Sequence, residues 1–160
     1  MAAGSRGKED SVTKKGRQGT ADEEGRPVLL TITGRQTDPD SGTQENTASY
    51  RAVMSACGEG HLFSYLAEDT WVMLFVSRER AWMQRGEKQE GRMVFDPSVS
   101  STQCDYETAY GIIPMEIRTD RISVLAGGSR GLQARIRYTL AMSPEYELTC
   151  SVTIKTQQTV

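Results

Sequence analysis

From Gly131 to Ala141 the chain alternates strictly. Leu132, Ala134, Ile136, Tyr138 and Leu140 fall on one face, and Gln133, Arg135, Arg137 and Thr139 fall on the other. A period of two belongs to an extended strand with one face buried, because a helix repeats its apolar positions every three to four residues. The pattern then recurs. Tyr146, Leu148, Cys150, Val152 and Ile154 oppose Glu147, Thr149, Ser151, Thr153 and Lys155. Between the two segments, Met142-Ser143-Pro144-Glu145 supplies a turn, since Pro144 cannot donate to a ladder.

The same reading extends back to Val28. Strands are expected at Val28 to Ile32, Thr47 to Cys57, His61 to Ala67, Trp71 to Val76, Ala81 to Arg85, Arg92 to Phe95 and Gln103 to Tyr106. Ile112 to Thr119 and Ile122 to Leu125 follow as separate strands, with Asp120 and Arg121 connecting them. Trp71 to Val76 is apolar on both faces, which predicts a strand covered on both sides. No segment has helical periodicity. A meander of this kind leaves two unpaired edges unless it closes on itself. The expected fold is therefore all-β: an antiparallel meander closed into a barrel of about eight to ten strands. The expected limits are a polar tail over residues 1–27, the barrel over 28–156 and a short tail over 157–160.

Residues 1–26 contain no aromatic residue, Leu or Ile, and a segment so polar is expected to be disordered. Its basic residues (Arg6, Lys8, Lys14, Lys15, Arg17, Arg26) sit beside nearly as many acidic ones (Glu9, Asp10, Asp22, Glu23, Glu24), unlike a nucleic-acid-binding arm. The net charge of −2 gives no whole-molecule attraction to phosphate backbones. Neither a signal-peptide core nor a membrane-length apolar run is visible, so a soluble, cytoplasmic protein without membrane contact is expected. Cys57, Cys104 and Cys150 are expected as reduced thiols. Together with the lone His61 they do not form the close N/S cluster a zinc site needs, so neither metal nor cofactor is expected.

An ordered set of signals runs through this region. Val28-Leu29-Leu30-Thr31-Ile32 precedes Arg85-Gly86 and Met93-Val94-Phe95. Tyr106-Glu107-Thr108-Ala109-Tyr110-Gly111 and Ile117-Arg118-Thr119 follow, and the chain closes with Arg135 to Leu140 and Leu148 to Ile154. In that order and spacing, Val28 to Lys155 resembles the bacterial YwiB-like family. The resemblance implies a calycin-like β-barrel related to lipocalins, and it implies no ligand. Ala109 stands where the family usually has proline, and Ala67-Glu68-Asp69-Thr70 is a shorter connection than usual.

Two functional readings follow. In the first, the barrel binds a small amphipathic or anionic molecule without catalysis, inside it or at its mouth. The small residues Ala48, Ala52, Ala56 and Ala134 would leave room, and Tyr106, Glu107, Tyr110 and Arg118 would form the pocket rim. In the second, the barrel is solid and an arginine-rich outer strand face, drawn from Arg35, Arg51, Arg118, Arg135 and Arg137 and centred on the last two, contacts a protein or RNA partner. No aromatic residue accompanies those two arginines on their face, which counts against nucleic acid. Catalysis ranks third, since there is no phosphate loop and no nucleophile motif around His61 or Cys57.

Overall fold

A computed structural model describes residues 25–87, 91–127 and 131–159. The disorder expected of residues 1–24 lies outside the described residues. Ten strands follow one another: β1 (Arg26–Asp38), β2 (Gly42–Cys57), β3 (Gly60–Ala67), β4 (Thr70–Val76), β5 (Ala81–Arg85), β6 (Met93–Phe95), β7 (Thr102–Thr108), β8 (Gly111–Gly127), β9 (Gly131–Ser143) and β10 (Tyr146–Gln158). No α-helix occurs among the described residues, and so none long and apolar enough to cross a membrane. All pairings are antiparallel, in the order β6-β5-β4-β3-β2-β1-β10-β9-β8-β7. Neighbours in sequence are neighbours in the sheet except at β6 and β7, while β1 joins β10. The meander is thus a nearly closed barrel with one seam.

Side chains close that seam. β6 spans three residues and is followed by Asp96-Pro97, where proline has no N–H to continue a ladder. Thr102 instead donates its hydroxyl to the Val94 carbonyl at 2.5 Å. Thr119, reaching in from β8, accepts the Asp96 N–H at 3.1 Å. The Cys104 thiol donates to the Gly91 carbonyl at 3.7 Å. Behind these bonds, the ring of Phe95 packs edge-on against Tyr138 at 4.8 Å.

Several boundaries differ from expectation, for local reasons. β1 begins at Arg26, and β10 runs on to Gln158. β2 begins at Gly42 instead of Thr47, because its first residues pair with β1 through hydroxyls that apolar periodicity cannot register. Thr33 with Thr47 and Thr37 with Thr43 each meet at 3.0 Å. The two short strands expected around Asp120 are one strand, β8, with a bulge between Thr119 and Arg121. β4 is covered on one side only: Val72, Leu74 and Val76 are buried, yet Trp71 on the opposite face is 61% exposed. The turn from β3 to β4 needs only Glu68 and Asp69, both at positive φ (50° and 65°), the left-handed pair that suits a two-residue hairpin.

Inward-facing residues form one contiguous core. Leu30, Phe63, Leu74, Val76, Ile117, Ile136 and Ile154 are almost completely buried. Of the small residues expected to leave a void, Ala52 and Ala134 are buried within this core, whereas Ala48 and Ala56 are exposed. Tyr50 lies against Tyr65 with ring centres 4.5 Å apart, filling space beside Ala52. Burial next to Tyr50 pushes the Tyr65 phenol up to about 12.

Removing the hydroxyl in Thr119→Val leaves the Asp96 N–H without its acceptor at the seam. Urea denaturation should show a loss of about 1–2 kcal/mol, with an unchanged dependence on denaturant. His61, half-buried on β3, gives a second test. Burial first, and the positive charge of Arg26 second, push its pKa below the ordinary 6.5. The unfolded chain then binds a proton near pH 6.5 that the folded chain resists, so stability is full above that pH and falls as the pH drops below it. His61→Gln should flatten the melting-temperature profile between about pH 7 and pH 5.

Candidate functional site

The four residues of the expected pocket rim do not converge. Tyr106 lies near the end of β7 opposite Ile113, and Tyr110 sits in the two-residue loop before Gly111. This hairpin projects beyond the core, with Tyr106 57% exposed and Tyr110 fully exposed. Glu107 pairs in register with Ile112, so it points to the face opposite Tyr106. Arg118 lies seven residues along β8 from Gly111, about 23 Å at strand rise. It also faces outward, because Met115 and Ile117 on either side of Glu116 are buried. There it reaches over β9 to form an ion pair with Glu147, and its Nε lies 3.4 Å from Glu116 Oε1. That Nε makes no hydrogen bond, so the Glu116 contact is electrostatic only. Arg118 is a cross-strand tie on the outer surface.

Arg135 and Arg137 do share one exposed face of β9, and the sheet adds to them. Before the bulge, Met115 and Ile117 point inward; after it, Ile122 pairs with the buried Ile136. The extra residue, Asp120, thus shifts the phase of β8 and places Arg121 on the outside, directly opposite Arg137. Arg137 in turn opposes Ser151 of β10, Ser151 opposes Arg35 of β1, and Arg35 opposes Glu45 of β2. The next row reads Ser123, Arg135, Thr153, Thr33 and Thr47. Arg35, Arg121, Arg135 and Arg137 are all exposed, and the ion pairs among the described residues involve none of them. The result is a basic strip spanning three inter-strand spacings, about 14 Å, bordered by hydroxyls, with Glu45 at one end and the exposed bulge residue Asp120 beside Arg121 at the other.

Arg121 is the member that sequence reasoning missed. The signal for it was the lost alternation between Ile117 and Ile122, two inward residues five positions apart, an odd spacing where strict alternation needs an even one. That reads equally as a strand break or as a bulge.

A recess of about 100 Å³ lies beside Tyr138, lined by Gly34, Arg35, Gln36, Gln44, Asn46 and Ser151, with room for a few waters. No cluster of three or more histidine, cysteine or carboxylate side chains that could hold a metal ion is found among the described residues. Cys104 and Cys150 are buried free thiols, and burial raises the pKa of each.

Comparison with known proteins agrees with this architecture. A search of curated proteins found no match. Among solved structures, the chain is similar to the YwiB protein from Bacillus subtilis with a TM-score of 0.63, covering 83% of this chain and 93% of that one. At 15% identity that likeness speaks for the fold alone. A family described as a domain of unknown function, DUF1934, matches residues 31–154, nearly the whole barrel from β1 to β10. This chain belongs to that YwiB-like family, and its fold is the family's barrel.

Proposed function

We propose that this protein is a non-catalytic interaction module, and that its outer β8–β9–β10–β1 face holds an acidic segment of another protein. The observation that carries this reading is Arg121 opposite Arg137, with Arg35 in the same row and no acid between them. Like charges facing each other across strands destabilise a sheet. A carboxylate seated between two guanidinium groups reverses that cost and accepts bidentate hydrogen bonds. Hydroxyls at Ser123, Ser151, Thr153 and Thr33 surround the arginines and supply further donors.

Two features favour this over the alternatives. Inside the barrel, a small amphipathic molecule would need several hundred cubic ångströms, far more than the recess beside Tyr138 offers, and the larger cleft of about 710 Å³ bounded by Phe75, Trp82 and the turn Ser77 to Arg80 is open and lies on the outer surface. Single-stranded nucleic acid would need aromatic platforms, and the two basic rows carry none. The ten-strand meander supports kinship with calycin-like barrels, without bringing their ligands. Free Cys57, Cys104 and Cys150 support a reducing, cytoplasmic setting.

A fluorescent glutamate-rich peptide, titrated with the full chain and followed by anisotropy, tests the reading. Binding should weaken as salt rises. In Arg121→Ser/Arg137→Ser it should fall by at least about 10-fold with no loss of melting temperature, since a repulsive pair has been removed. Equal binding by the variant, or tighter binding of a single-stranded RNA of equal charge, would overturn it.

A further inference from the structure

The side of the barrel away from the basic strip has a different chemistry. On the outer faces of β3, β4 and β5, Leu62 pairs with Phe75 and Phe75 with Trp82, while Leu66 pairs with Trp71. Phe75 and Trp82 stack at 5.9 Å with ring planes 22° apart. The guanidinium of Arg92 covers Trp82 at 3.9 Å and is held by two hydrogen bonds to Gln84 Oε1, at 2.7 and 3.1 Å. Gly60 lies so close beneath that a Cβ there would come within 2.7 Å of the Phe75 ring and 2.5 Å of the Val76 carbonyl. These contacts hold the rings in place beside an open cleft of about 710 Å³, bounded by Phe75, Trp82, Cys57 and the turn Ser77 to Arg80. At the other end of the same face, Trp71 stands 61% exposed and Leu66 49%.

The knob and the cleft lie on one strand. Trp71 and Phe75 sit two residues to either side of Met73 on the outward face of β4, about 13 Å apart. We propose that this face binds a second copy of the chain, about a two-fold axis that runs between the two faces and crosses the strands at Met73. That operation lays β4 antiparallel on its counterpart and puts Trp71 of each copy over the Phe75–Trp82 cleft of the other. An isologous interface requires this reciprocity.

Charge agrees with the placement. The same axis brings the exposed turn at Glu68 and Asp69, five and four residues before Met73, against the exposed turn carrying Arg78 and Arg80 in the other copy. Among the described residues Glu68 pairs with Arg85 alone, at 3.6 Å and with its side chain 89% exposed, which leaves it available. Glu79 offsets part of the positive turn, so the net pairing is two acids against one excess cation. Two inserted tryptophans bury roughly 300–500 Å² of the about 1,600 Å² that a standard interface needs, and Leu66, Met73, Leu62 and Val53 lie around them to extend it.

Light scattering of the full chain should give twice the 17.7 kDa chain mass at about 100 µM. Trp71→Arg, at an exposed position, should keep the β-sheet circular dichroism and weaken self-association by at least about 10-fold. Met73→Cys in a Cys57→Ser background places the two new thiols on the axis, so a thiol-specific linker of about 10 Å, the face-to-face spacing of packed sheets, should join them into a covalent dimer. A monomeric wild-type chain, a dimer indifferent to Trp71→Arg, or no linked dimer from Met73→Cys would each overturn the proposal. None of these outcomes bears on the peptide titration, which reports on the opposite face.

Discussion

The barrel depends on how one seam is closed without a backbone ladder. A row of unpaired N–H and C=O groups on β6 and β7 would be a site for another strand and a cost wherever it is buried. β6 is cut to three residues by Asp96-Pro97, so the exposed row is short from the start. Thr102 and Thr119 then satisfy one carbonyl and one N–H with side-chain oxygens, and Phe95 anchors the seam to Tyr138 of β9, the residue opposite Thr119. Because Tyr138 is buried between that ring and Cys150, its phenol is held well above its ordinary pKa and stays neutral. Closing the seam and filling the interior are therefore one event.

Once closed, the barrel has little interior to offer. Phe63, Leu74, Ile117, Ile136 and Ile154 meet across it, and the Tyr50–Tyr65 pair takes the space that the alanines of β2 leave. On the reading proposed above, recognition uses the outer surface. That surface is divided by chemistry: arginines and hydroxyls over β8, β9, β10 and β1, aromatic and aliphatic groups over β3, β4 and β5. Coulombic attraction over the first face is screened by salt, whereas burial of apolar area on the second is not. Two partners could thus be held at once under different control.

Much of this was legible in the chain. Alternation located β9 and β10 because each has one wet and one dry face, and the connection expected to be short, Ala67-Glu68-Asp69-Thr70, is a two-residue hairpin loop. The arginines of β9 were legible for the same reason. The pocket rim was not, since Tyr106, Glu107, Tyr110 and Arg118 are close in sequence but spread along about 23 Å of strand on two faces. Trp71 to Val76 misled in a related way. An apolar run marks both faces as suited to burial, but whether a second layer covers the outer one depends on the rest of the chain.

Alternation along the chain marks the regular strands, their succession and the two unlike faces of each, because the period of two is a local property of the backbone. What lies between strands is set by the closed sheet: which face points inward, that β1 joins β10, that hydroxyls shut the seam, and that the extra residue at Asp120 turns Arg121 outward to meet Arg137 and Arg35. A bulge and a break look alike along one chain. They differ only in whether the neighbouring strand continues the ladder past the extra residue, and that neighbour is set by the closed sheet.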